Sequence, residues 1–419
     1  MTLLIKNIAI LCGIQENTNG YLAGNELGKI NEIENAWLLV ENDKILDYGK
    51  ISEYENSQHF GSISIDKEID ATDKFVGPTW CDSHTHLIFP AWRESEFVDR
   101  INGLSYEEIA KRGGGILNTA KKMQDASEED LFAHAQERID EIIAFGTGAV
   151  EIKSGYGLST ESELKMLRVA KKLKQQNDIQ IKTTFLGAHA LPAKYKENRK
   201  EYIDLIVNDM LPKIAEEELA DYCDVFCDRG FFTEAETDTI LEAGNKLGLK
   251  PKIHANELGF TGGIQSGVRN NAVSVDHLEC VGDEEIELLA NSKTMPTLLP
   301  STAFFLHLHY PPARKMIDNG LPIALATDYN PGSSPSGNMP FILALACIHL
   351  KMTPAEAFNA ATINGAYAME LDSTLGSITK NKKANFFISN KGVNLSQIPY
   401  NFGRNPVEQV FINGKLIHQ

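Results

Sequence analysis

The segment Cys81-Asp82-Ser83-His84-Thr85-His86 carries the plainest sign of chemistry in the chain. An apolar run, Phe75-Val76-Gly77-Pro78-Thr79-Trp80, precedes it and Leu87-Ile88-Phe89 follows, so the context reads as a buried strand. Side chains two apart on a strand point to the same side. His84 and His86 can therefore aim two imidazoles at one point, the beginning of a metal site. Three further segments end in groups of the same kind: Lys252-Ile253-His254-Ala255-Asn256-Glu257, Val273-Ser274-Val275-Asp276-His277 and Ala324-Leu325-Ala326-Thr327-Asp328. In each, an ionisable group follows an apolar run, where an unpaired charge is costly to bury. A shared metal ion would compensate all four.

These groups need elements that bring them together. Candidate strands end near His86, Lys153, Gly187, Cys227, His254, His277, Leu299 and Asp328. Helical patterns lie between them, with Leu131, Ala135, Ile139 and Ile142 at helical spacing and capping-box matches from Thr160 to Glu163 and from Thr233 to Glu236. This alternation predicts an α/β fold, a (β/α)8 TIM barrel over residues 75–371, with its chemistry at the C-terminal ends of the strands. Residues 1–74 and 372–419 read differently. Strand-like runs at 3–11, 36–40, 384–388 and 407–412, with turns at Asn42-Asp43 and Asn413-Gly414, predict one small sheet domain built from both chain ends. Gly113-Gly114-Gly115 opens no phosphate-loop pattern and reads as a flexible loop beside the site.

Composition narrows the class. The 419 residues are 42% hydrophobic with a formal net charge of −17, which provides for a full core and argues against nucleic acid or anionic membrane as partner. Six cysteines form no CxxC pair, and Cys223 and Cys227 read as packing within a strand. The start lacks a basic region followed by a long apolar core, and no apolar run reaches the ~20 residues of a membrane span. A reducing, cytoplasmic setting follows.

The ordered set, His-x-His after strand one, histidines at strands five and six and an aspartate at strand eight, resembles the amidohydrolase superfamily over nearly the whole chain. Cys81-Asp82-Ser83-His84-Thr85-His86-Leu87, Lys153-Ser154-Gly155-Tyr156-Gly157-Leu158, Thr184-Phe185-Leu186-Gly187-Ala188-His189, His254-Ala255-Asn256-Glu257 and Thr327-Asp328-Tyr329-Asn330-Pro331-Gly332-Ser333 narrow the resemblance to a branch that opens a five-membered cyclic amide. The resemblance implies a small β-sandwich beside the barrel, and a homodimer. It also implies one Zn²⁺ or Fe ion per subunit, held by His84, His86, His254 and Asp328, that turns water into a nucleophile. Three imidazoles and a carboxylate suit either metal. Glu257 is implied as the proton carrier and His277 as the group that polarises the carbonyl or steadies the oxyanion. Asp328 is implied as a further proton acceptor, and the resemblance does not divide the proton transfers among the three.

Arg93 follows the His-x-His closely, and a guanidinium suits a small substrate with a carboxylate tail. The resemblance places Arg93, Tyr156, His189 and Glu257 around that substrate, with Asn330, Gly332 and Ser333 on the loop after Asp328. Lys153 invites comparison with the bridging lysine of two-metal members but reads as structural or site-lining, which leaves a mononuclear site. His307 and His309 repeat the His-x-His spacing beyond strand seven, lack a carboxylate in register, and read as loop packing. Two other functions stay open at this level: a nucleobase or aminohydrolase-type deaminase with the same ligands, and a binding-only barrel.

Overall fold

Parallel strands Trp80–Thr85, Thr147–Lys153, Gln180–Ala188, Tyr222–Cys227, Lys250–Ala255, Ser274–His277, Met295–Leu298 and Ala324–Leu325 pair with one another in chain order in a single eight-stranded sheet. The computed structural model describes residues 1–16, 20–104, 108 and 114–419. Helices alternate with the strands. The second and fourth strands are buried along their whole length, as expected of parallel strands covered on both sides. Closure of the barrel falls at the strand ends the sequence singled out. Asp328 donates its backbone N–H to His84 O and His86 donates its own to Tyr329 O, both at 2.9 Å. The Asp82 carboxylate accepts from the Thr327 backbone N–H at 3.0 Å and from its hydroxyl at 2.6 Å. The expected (β/α)8 barrel is the observed fold.

The chain ends form the expected second domain as one eight-stranded sheet. Its strands are Thr2–Cys12, Glu32–Glu41, Lys44–Lys50, Lys67–Asp70, Lys74–Pro78, Phe386–Lys391, Val407–Ile412 and Lys415–His418. Leu3, Ile5, Val76, Phe386 and Ile388 pack in a separate core there. The apolar run 75–80, expected as one strand leading into the His-x-His, divides between the two sheets. Lys74–Pro78 pairs with the chain-end strands, and Trp80 opens the barrel. Pro78 has no N–H to continue a ladder, and the Trp80 N–H turns to Gly146 O at 3.0 Å.

Two helix starts differ in outcome. Thr233 and Glu236 form the expected capping box. The Thr160–Glu163 match is out by one residue. Ser159, with extended backbone, is the cap and accepts from the Ser162 N–H. Thr160 donates to Asp209 at 2.5 Å. Glu163 is thereby free to turn back and accept the N–H groups of Gly155, Gly157 and Leu158 at 3.0, 2.8 and 2.8 Å.

Trp80 joins the two domains. Its ring is fully buried, 5.4 Å from Phe358 and 5.0 Å from Phe387 between centroids, and its Nε1–H donates to Phe145 O at 2.8 Å. Trp80→Ala should cost about 3–5 kcal/mol of unfolding free energy in urea titration. A loss under ~1 kcal/mol, the size of a lone hydrogen bond, would show that the ring does not join the domains.

Candidate active site

A cavity of about 610 Å³ opens at the C-terminal ends of the barrel strands. Every sequence-predicted site residue lines it except His84, which is fully buried beneath. The donor atoms of His84, His86 and His254 lie within 4.8 Å of one another, as do those of His84, His277 and Asp328. Asp328 Oδ1 is 3.5 Å from His84 Nε2 and 3.4 Å from His86 Nε2. His254 Nε2 faces His86 Nε2 at 3.4 Å. His84 Nε2 is buried with no hydrogen-bond partner. Inward-facing lone pairs with no proton donor are what a cation resolves, so the donor set fits a metal ion.

Protonation states suit that use. Burial, reinforced by Lys153 and the neighbouring histidines, holds His84 well below the usual imidazole range. Burial lowers His254 to about 4 although Asp224 opposes it. Neutral imidazoles are the ligating form. Burial would raise the Asp328 carboxyl, but His86, His277 and Thr302 outweigh it and keep it ionised. Thr302 donates to Asp328 Oδ2 at 2.6 Å.

The far side of each imidazole is held from inside the barrel. His84 Nδ1 is 2.6 Å from Asp276 Oδ2, and His254 Nδ1 is 3.0 Å from Asp224 Oδ2. Behind these aspartates lie Glu151, Lys153 and Lys252, all fully buried. Lys153 Nζ bonds Glu151 at 2.6 Å and Asp224 at 2.8 Å, and Lys252 bonds Glu151 from the other side. Lys153 is thus spent on carboxylates.

Backbone conformation turns several groups into the cavity. Asn256, His277, Leu278 and Asp328 have φ of +55°, +83°, +68° and +53°, in the left-handed region that costs most residues energy. The consecutive turn at 277–278 brings Glu279 back under His277. Glu257 Oε2 and Glu279 Oε2 lie 3.7 and 3.8 Å from His277 Nδ1. Burial, with Glu279 and Asp328 adding repulsion against the pull of His277, pushes the Glu257 carboxyl up to about 8. Burial works against His277, but Glu257 and Glu279 lift it above the usual imidazole range. The cluster therefore retains a proton at neutral pH.

The opposite wall carries the cation. Arg93 gives Nε and Nη2 to Glu96 Oε2 at 3.0 and 2.7 Å, so the side-on fork is taken and the end-on pair of Nη groups is left for a ligand. Glu96 Oε1 accepts the Gly115 N–H at 2.9 Å, where Gly115 (φ +82°) begins the helix Ile116–Asp125. Gly113 lies outside the described residues. A Cβ on Gly332 would sit 2.3 Å from Arg93 Nη1, so only glycine lets the guanidinium lie there. The amide of Asn330 is turned into its own loop. Its Nδ2 donates to Asp328 O and Ser333 Oγ, and its Oδ1 accepts from Gly332 and Ser333 N–H. His189 stacks on His86 at 5.2 Å, and its Nδ1 is tied to Gly155 O at 3.1 Å. Tyr156 is buried beside both.

Sequence reading missed Glu96, Asp224, Glu151, Lys252, Asp276 as a partner of His84, and Glu279. It also set His307 aside as packing. His307 ends the helix Pro300–Leu306 at φ +56° and lines the cavity.

The amidohydrolase family model matches residues 75–417. The imidazolonepropionases of Christiangramia forsetii and Flavobacterium psychrophilum are 54% and 55% identical over 417 residues, covering 100% of each chain. That of Alkaliphilus metalliredigens is 40% identical over 99% of this chain and 97% of its own. Among solved structures, a zinc-bound adenosine deaminase from Xanthomonas campestris matches with TM-score 0.73 at 16% identity, over 99% of this chain and 92% of that one. E. coli guanine deaminase matches with TM-score 0.73 at 14% identity, over 100% and 99%. At these identities they share the fold.

The electrostatics set a pH dependence. Burial would raise Asp224, but His254 and Lys153 hold it far below the usual carboxylate range. An unfolded aspartate titrates near ~3.9. A depressed native value gives stability that is complete above that pH and lost as pH falls further. Calorimetry of metal-free protein should show a Tm that drops steeply below about pH 4. Asp224→Asn should begin lower and drop less steeply. An equal slope in both would contradict the assignment of this charge.

Proposed function

The chain belongs to the amidohydrolase family, among its imidazolonepropionases, and from that premise we propose how its own residues carry out the reaction. It hydrolyses the ring amide of 4-imidazolone-5-propanoate to N-formimino-L-glutamate, a step of histidine degradation. The observation that carries the assignment of roles is that Arg93 and the imidazole–carboxylate cluster share one cavity. A substrate with a carboxylate at one end and a reacting carbonyl at the other suits that pairing.

His84, His86, His254 and Asp328 would hold one Zn²⁺ or Fe ion per subunit. When bound, such an ion supplies Lewis acidity and makes hydroxide available at neutral pH. Arg93 binds the propionate end-on through its Nη groups while Glu96 holds the guanidinium in place. Tyr156 and His189 flank the ring, and the Asn330–Ser333 loop shapes its far edge. The oxygen of water joins the ring carbonyl carbon and the bond from that carbon to nitrogen breaks. His277 faces the developing oxyanion. Glu257, whose carboxyl burial pushes up to about 8 in the metal-free protein, is a ready proton donor to the leaving nitrogen, and in its ionised form it takes the proton of the attacking water. Asp328, held ionised, keeps its charge on the ligand side of the site.

No helix among the described residues is long and apolar enough to cross a membrane, and the six cysteines are unpaired. Both features support a cytoplasmic enzyme, and we propose that it works there as a homodimer.

Two variants separate the roles. His84→Ala should lose bound metal and turnover together, read by elemental analysis and by ultraviolet loss of the imidazolone on one sample. Full turnover without metal would refute the ligand set. Arg93→Ala should keep its metal and raise KM about 10- to 100-fold, the worth of a charged hydrogen bond. Unchanged kinetics on the imidazolone would refute the carboxylate role. Ammonia release from a purine or pterin would move the assignment to a deaminase.

A further inference from the structure

The charge network behind the site converges on one nitrogen. Lys153 Nζ lies 2.8 Å from Asp224 Oδ2 and 3.6 Å from Asp276 Oδ2. Those same two oxygens face His254 Nδ1 at 3.0 Å and His84 Nδ1 at 2.6 Å. The remaining oxygens of the two aspartates are also occupied. Asp224 Oδ1 accepts the His254 backbone N–H at 3.1 Å, and Asp276 Oδ1 accepts the Ser274 hydroxyl at 2.6 Å. Neither carboxylate can rotate without breaking a buried bond. The third partner, Glu151 Oε1 at 2.6 Å, is pinned by the Thr184 hydroxyl at 2.5 Å and fixes where the ammonium sits. All of these side chains have zero exposure except His254, at 2%.

We propose that Lys153 is the positioning residue of the metal centre: a single ammonium that sets two aspartates, which in turn aim His84 and His254. The assignment rests on the reading of His84 and His254 as ligands. It assigns Lys153 a task unlike that of a bridging ligand, because the lysine acts on the ion only through two other residues. Partners that orient ligating histidines are worth roughly 10- to 100-fold in metal affinity. Lys153 controls two of them at once. Its charge is secure, since burial is outweighed by Asp224, Glu151 and Asp276.

Lys252 offers an internal control. It is equally buried and bonds Glu151, Ser83 O and Ala368 O, and neither Asp224 nor Asp276 lies within 4.0 Å of its nitrogen among the described residues. Lys153→Met and Lys252→Met therefore remove the same charge at the same depth, but only the first removes a partner within 4.0 Å of the aspartates, since Lys252 reaches Asp276 through its charge at longer range. Zinc affinity should be measured by chelator competition on metal-free protein, and ligand geometry by the visible absorption of cobalt-loaded protein. Lys153→Met should lose about 10- to 100-fold in zinc affinity and shift the cobalt spectrum, while Lys252→Met loses at least about tenfold less and keeps the spectrum. Equal losses in the two variants, or wild-type affinity in Lys153→Met, would overturn the proposal. If Lys153→Met fails to fold, Lys153→Arg keeps the charge and displaces the donor. A shifted cobalt spectrum with weakened zinc binding then supports the proposal, and wild-type values for both overturn it. Wild-type protein that takes up no zinc would defeat the ligand reading itself. Wild-type protein that binds zinc beside an unaffected Lys153→Met defeats the Lys153 assignment alone.

Discussion

Burying charge inside a barrel is the constraint on which the rest of this structure depends. The interior of such a barrel is ordinarily filled by branched apolar side chains. Here the inward positions include Asp82, His84, Glu151, Lys153, Asp224, Lys252, His254 and Asp276, all with 0–2% exposure. Each ion would be costly alone, and each has partners. Glu151, Asp224 and Asp276 bring three carboxylates to the two ammonium groups of Lys153 and Lys252, while Asp328 faces His84 and His86. Ion pairs of this kind contribute little to stability compared with apolar packing. What they fix is geometry: Asp276 and Asp224 stand against the Nδ1 atoms of His84 and His254 and orient those two rings.

Fold and site share their bonds. The strand-one and strand-eight segments that carry His84, His86 and Asp328 are joined by the backbone bonds that close the barrel. The gap across which the candidate ligands face each other is therefore as rigid as the sheet. The opposite wall is attached differently. Arg93 is held by Glu96 and lies against the glycine at 332, on loop and helix segments outside the barrel strands.

Much of this was legible in the sequence, for a definite reason. Groups that need compensation stand at the ends of apolar strands, and the strand period places them. Alternation of elements then predicts the barrel, and two sheet-like ends predict the second domain. The pairings were less legible. His84 meets Asp276 across 192 residues, and Lys153 meets Asp224 across 71. Only barrel closure brings these together. One signal was available: Glu151 and Lys153 alternate on a strand that is otherwise apolar, which marks them as inward and mutually compensating. Glu96, three residues after Arg93, was equally visible. The shift of the cap from Thr160 to Ser159 shows the usual weakness of local motifs, since Glu163 has a stronger use in holding the loop of Tyr156. The division of 75–80 between two sheets turns on a proline that the hydrophobic pattern alone does not register.

The central claim is that His84, His86, His254 and Asp328 converge on one ion. Anomalous diffraction at the zinc edge from zinc-loaded crystals tests it most directly. The account predicts a single peak per subunit, bonded to all four side chains at ~2.0–2.2 Å. A peak elsewhere, or none between these side chains in active protein, would contradict it.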